Sequence, residues 1–261
     1  VSEKKWLRLL ARFSNQFAFS VNRKVTNDDF SVYANPFNLQ NNDTTLVSNS
    51  QSLRNMFSFN KTNPRFGADL VVNQTVSKNL LTNGLEGREL QTLELQTRWN
   101  ITQFLTLLNT ASLSEKSKTA DYFTANNYNI RNYKTDATFR IQPQVSYRFE
   151  LKYKYDEKEN TRGEERAVHH DGGVAFHYAK AGKNSIDAAV HYIDVAFNGT
   201  GNNSLTYELL NGLQKGANYT WELNWNRQLS KSFQMTIRYN GRAGDDTNTI
   251  HIASMRVRAM F

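Results

Sequence analysis

Three observations predict an all-β chain folded as an antiparallel transmembrane β-barrel of about twelve strands, with short periplasmic turns and long extracellular loops. Apolar and polar residues alternate with period two over strand-length stretches, connections alternate between short and long, and aromatic residues collect at two levels. A closed sheet that is apolar outside and polar inside carries all three marks.

The clearest stretch is 145–155. Val145, Tyr147, Phe149, Leu151, Tyr153 and Tyr155 fall on one face, and Ser146, Arg148, Glu150, Lys152 and Lys154 on the other. Eleven residues of strict alternation match the length of a membrane-crossing strand, whereas a helix would scatter the same residues around its circumference. The pattern returns where Tyr219, Trp221, Leu223 and Trp225 alternate with Thr220, Glu222, Asn224 and Asn226. It returns again where Phe233, Met235, Ile237 and Tyr239 alternate with Gln234, Thr236, Arg238 and Asn240. A last strand sets Ala253, Met255, Val257, Ala259 and Phe261 against Ser254, Arg256, Arg258 and Met260. Weaker copies lie near 10–23, 51–61, 66–77, 88–101, 103–115, 130–141, 167–180 and 184–197, which brings the count to about twelve.

Reading back from the end, connections at 241–248, 198–216, 156–166, 116–129 and 77–87 are long, and those at 228–232, 181–183, 142–144 and 100–103 are short. Short turns inside and long loops outside place the chain end at the periplasmic edge. One aromatic belt then contains Phe261, Phe233, Trp225, Tyr178, Tyr147, Phe139 and Trp99. The other contains Tyr239, Tyr219, Trp221, Tyr192, Tyr153 and Tyr133, with Met255, Val257, Ile237, Leu223, Val190, Ala188, Leu95 and Leu70 between them. Lipid headgroups and tails sort residues by height in this way.

Composition agrees. Hydrophobic residues are 39% of the chain, the mean hydropathy is −0.66, and no run approaches the roughly 18 apolar residues of a membrane helix. Three Pro are few enough for a chain in which most positions donate to a ladder. With no Cys, neither disulfides nor thiolate sites can form. The formal charge of +8 raises nucleic acid as a partner. That is not expected, because the aromatics lie opposite the cations on each strand, whereas single-strand platforms need both on one surface. The whole of 1–261 reads as one barrel. Val1 and the absence of a signal peptide suggest a processed chain or the C-terminal part of a longer one.

The closing run Arg256-Val-Arg-Ala-Met-Phe261 resembles the last strand of Gram-negative outer-membrane barrels, in which a terminal aromatic helps the assembly machinery recognise its substrate. Together with Tyr207-Glu-Leu-Leu-Asn-Gly-Leu213, Asn218-Tyr-Thr-Trp221, Tyr239-Asn-Gly-Arg242 and Thr249-Ile-His251, the last sixty or so residues are similar to the C-terminal region of large outer-membrane proteins of Bacteroidota. The resemblance implies a location in the bacterial outer membrane and says little about activity.

The polar face supplies the candidate site. Its expected lumen residues are Arg98, Lys134, Arg140, Arg148, Lys152, Lys154, Arg238, Arg242, Arg256 and Arg258, facing Asp69, Glu94, Asp136, Glu150, Asp187 and Glu222. Such a set could line an anion-preferring pore or fill a small barrel with ion pairs. His169-His170-Asp171 is the one cluster with catalytic composition, His169 and Asp171 sharing a face. No Ser lies beside it, so no catalytic residue and no enzyme are expected. His177 and His191 on adjacent strands could both point inward, but two histidines are too few for a metal site, and no cofactor is expected. Loops 27–49 and 198–216 carry apolar residues, among them Phe30, Tyr33, Phe37, Leu205, Tyr207 and Leu209. They could plug the lumen, cap its mouth or dock other outer-membrane or surface proteins. The bilayer itself is the first expected partner. The expected role is a membrane anchor or a component of a surface translocation or assembly complex, with an anion-preferring pore and a barrel hydrolase as alternatives.

Overall fold

The structure, a computed structural model, describes residues 12–26, 45–122, 124, 127–199, 204–245 and 247–259. In chain order the strands are β1 (Phe13–Val25), β2 (Leu46–Phe59), β3 (Phe66–Leu81), β4 (Gly84–Asn100), β5 (Leu105–Ala120) and β6 (Tyr128–Gln144). There follow β7 (Tyr147–Asn160), β8 (Arg166–Lys180), β9 (Asn184–Phe197), a short seven-residue helix α1 (Ser204–Leu210), β10 (Gly216–Gln228), β11 (Phe233–Gly244) and β12 (Thr247–Ala259). The twelve strands form one sheet in sequence order, each antiparallel to the next. This is the up-and-down meander that alternating short and long connections require.

Burial along the strands is inverted relative to a water-soluble sheet. On β7 the apolar residues Tyr147, Phe149, Leu151 and Tyr153 are exposed, whereas Glu150 and Asp156, on the opposite face, are 5% and 3% exposed. The polar side chains occupy the crowded, inner face of a curved sheet, and the apolar ones stand on the open, outer face. Exposed Leu93, Leu95, Val174, Val190, Met255 and Val257 continue that outer band across the sheet.

The register shows how the strands are inclined. One hydrogen-bonded row runs Phe13, Phe59, Ala68, Thr97, Asn109, Ala137, Tyr153, Gly172, Tyr192, Tyr219 and Ala243. It starts beside the short turn after β2 and finishes beside the 245–246 connection at the opposite end of the sheet. Ala68 stands two residues into β3, and Ala243 ten residues into β11. A climb of about one residue per strand, roughly 3.4 Å for each 4.8 Å of lateral spacing, corresponds to a tilt of about 35°, within the range of closed barrels. Among the described residues β1 and β12 are not paired with each other, so each presents one free edge.

Two connections are tighter than the sequence suggests. The ladder of β3 and β4 continues through Ser77↔Arg88 to Leu81↔Gly84, leaving Thr82 and Asn83 as the turn, and β11 and β12 are joined through 245–246. Gly84 has a φ of +131° that a side chain would resist. The expected long loops at 77–87 and 241–248 are therefore largely strand. Beyond the apolar band the alternation breaks down, with Leu80 and Leu81 adjacent among polar residues, but the backbone ladder does not depend on that signal. The long connection between β9 and β10 does hold a helix. Its partner at 27–49 falls mostly outside the described residues, as do Phe30, Tyr33 and Phe37.

Candidate functional site: the inner face and its inward-folded helix

Three cationic side chains and one imidazole converge on one carboxylate at the centre of the inner face. Glu150 pairs with Arg140 at 3.0 Å, Arg148 at 3.1 Å and Lys152 at 3.3 Å, and the His177 ring lies 3.9 Å away. Register explains the cluster. Arg140 is opposite Glu150, Arg148 and Lys152 are its same-face neighbours on β7, and Arg148 is opposite His177. His177 Nδ1 also meets Asp187 Oδ1 at 2.6 Å. Nearer the long-loop end Lys154 pairs with Asp156 at 3.4 Å, and Asp156 is buried beside Lys158.

Lys158 is held by the helix. Its ammonium donates to the Glu208 carbonyl at 2.7 Å and to Asn211 Oδ1 at 2.6 Å. Lys116 on β5 meets the Glu208 carboxylate at 2.7 Å, which holds that carboxyl below the usual carboxylate range; burial opposes the shift and the nearby Lys158 charge adds to it. Leu209, fully buried, packs on Ile130 and Ala167, flanked by Tyr128, Phe197, Leu205 and Leu210. Helix α1 thus lies on the inner face and covers β5 to β8 with about two turns.

The His169-His170-Asp171 run does not act as a unit. His169 is buried, with Nδ1 3.2 Å from the Asp156 carbonyl. His170 is on the outer face and shares a 2.9 Å hydrogen bond with the Tyr153 hydroxyl. Asp171 reaches instead to the next strand and meets His191 Nδ1 at 2.8 Å. His177 and His191 both point inward, each beside an aspartate. Gly173 permits the second pair, because a Cβ there would sit 2.5 Å from His191 Nδ1. The Asp171–His191 pair borders a cavity of about 690 Å³ with Thr220, Glu222 and Arg242. Sequence reading missed both Asp–His pairs, since they join residues 10 and 20 apart through register alone. No group of three or more metal-ligating side chains occurs among the described residues.

On the inner face the structure brings together Arg140, Arg148, Glu150, Lys152 and Lys154. Lys134 lies opposite Asp156. Arg98 donates to the Asn63 carbonyl at 2.8 Å. Glu222, Arg238, Arg256 and Arg258 stand apart on β10 to β12, all exposed. On the outer face Trp99, Tyr147, Tyr178, Trp225 and Phe233 lie within three residues of short-turn strand ends. Tyr153, Tyr219, Trp221 and Tyr239 stand farther along their strands. Tyr147 and Tyr153, Trp225 and Tyr219, and Phe233 and Tyr239 are each six residues apart, about 20 Å of strand. His251 joins the second level, stacked on Tyr239 and beside Trp221. Phe261 lies outside the described residues.

The fold is similar to parts of solved structures. The siderophore receptor PirA of Acinetobacter baumannii is 10% identical, with 95% of this chain and 40% of that chain covered and a TM-score of 0.59. The ferric enterobactin receptor PfeA of Pseudomonas aeruginosa is 9% identical, with 94% and 41% covered and a TM-score of 0.61. The outer membrane transporter YddB of Escherichia coli is 12% identical, with 93% and 41% covered and a TM-score of 0.56. The fold is that of a bacterial outer-membrane β-barrel. This barrel chain spans about two-fifths of the length of the receptors and transporter it matches. No family model matches the sequence, and no curated protein does. In outer-membrane barrels generally, the apolar face meets lipid and the polar face encloses the lumen.

Proposed function

We propose that this chain is a section of the wall of a large outer-membrane transport barrel, resident in the bacterial outer membrane, with its outer face in lipid and its inner face lining the lumen. The observation that carries this reading is that, among the described residues, the outer edges of β1 and β12 have no strand partner. Unpaired strand edges cannot stay in hydrocarbon, because each bare N–H or C=O there costs several kcal/mol, so further strands must cover them. Barrels of 22 strands are the known transporter size with a plugged lumen, and this chain covers about two-fifths of the receptors it matches. The anchoring and translocation role expected from sequence is retained in this form, and an origin among the Bacteroidota proteins that the last sixty residues resemble belongs to the same proposal. The reading involves no catalytic step.

Spin labels at Ser20 on β1 and Ser254 on β12 test the proposal in the intact protein in its native membrane. A wall section of a larger barrel places the labels many strand spacings apart. Closure of these twelve strands on themselves brings the labelled strands to about 4.8 Å, and the corresponding short distance would overturn the proposal.

A further inference from the structure

Most inner-face cations on β6 to β8 have acidic partners, whereas those on β11 and β12 do not. In three successive rows Arg258 is opposite Gln234, Arg256 opposite Thr236, and Arg238 opposite Ser254. These six side chains line a cavity of about 280 Å³. Among the described residues, no carboxylate lies within ion-pair distance of the three guanidiniums. The neighbouring inner-face acids are engaged or displaced: Asp187 is held by His177, and Glu222 lies one row beyond Asn224, the residue opposite Arg238.

We propose that Arg238, Arg256 and Arg258 form an oxyanion-binding site in the lumen, which takes the phosphate or carboxylate group of a small solute. The proposal rests on the inner face lining a water-filled lumen. Same-face neighbours on adjacent strands stand about 5–8 Å apart, where like charges repel. An anion between them removes that repulsion. Guanidinium forks match the spacing of phosphate and carboxylate oxygens, and the Ser254 hydroxyl with the Gln234 amide supplies neutral donors around them, while the Thr236 hydroxyl donates to Asn226 Oδ1 at 2.7 Å. At Glu150, by contrast, a protein carboxylate already fills the corresponding position. The site lies beside the short-turn end, far along the sheet from α1, so a solute meets it after passing the helix.

The chain contains no cysteine, so Ser254→Cys introduces a single thiol into the site. In the full chain reconstituted in lipid, a negatively charged methanethiosulfonate should modify this thiol about tenfold faster than a positively charged one, reflecting the local cationic potential. Inorganic phosphate or citrate should slow the modification. Arg256→Gln with Arg258→Gln should abolish both the charge preference and the protection, while Arg166→Gln, at a cation paired with Glu157, should leave both intact. Equal rates for the two reagents, failure of both anions to protect, or a preference that survives loss of the arginines would overturn the site while the lumen reading stands. If neither reagent reaches the thiol, the inner face is closed to water, and the lumen reading falls together with the site.

Discussion

Leu223 and Asn224 are adjacent in the chain and opposite in environment. Leu223 is on the outer face in a row with Ala188 and Tyr239, and Asn224 is on the inner face between Asp187 and Arg238. Leu223→Arg puts a guanidinium toward mid-bilayer and should cost on the order of 2–4 kcal/mol. Asn224→Arg points into a polar space and should be mild. Folding titrations into lipid vesicles check the difference, and equal losses would contradict the assignment of faces. The same parity explains why the histidine run has no common chemistry: neighbours in a strand point to opposite sides, so His170 belongs with Tyr153 and not with His169.

At the scale of elements, α1 is too short to persist by itself, and its place depends on Leu209, Lys158 and the Lys116–Glu208 pair. Because the Glu208 carboxyl is held below its ordinary value, its contribution is fully present above the usual glutamate pKa of about 4.3. It is lost as pH falls through the lowered value of the docked helix. A spin label at Tyr207, which is 71% exposed, should therefore be immobile at neutral pH and gain mobility on acidification below that range. Glu208→Gln should give the mobile spectrum already at neutral pH, with Lys116 and Lys158 still facing the position. Leu209→Ala, a deletion typically worth 2–5 kcal/mol when fully buried, should release the helix at every pH. A label that stays immobile in both variants would mean that other contacts hold the loop.

Across the whole molecule, stability should fall toward the two margins. Strands β4 to β8 have paired neighbours on both sides, an ion-pair network and the α1 contact, whereas β1 and β12 each have one neighbour. Local opening follows such differences. In the isolated chain, amide hydrogens of β1 and β12 should exchange far faster than those of β6 and β7. Uniformly slow exchange would show that the margins are paired with each other. In the intact membrane, the proposed larger barrel should slow both margins.

The sequence by itself determined the strand number and the alternation of faces, because period two is a local property of each strand and needs no knowledge of its neighbours. The alternation at Tyr147–Tyr155 and at Phe233–Tyr239 is legible in the residues alone. Only the tertiary structure decided which polar residues meet. Glu150 gathers Arg140 and His177, Asp171 finds His191, and Glu208 reaches Lys116 across 92 positions, all through register and loop docking. It also decided the strand ends at Leu81 and Gly84, where adjacent leucines break the alternation and no period-two pattern marks the ladder. Pairing is set by backbone hydrogen bonds and sheet tilt, and the free margins of β1 and β12 follow from counting neighbours in space.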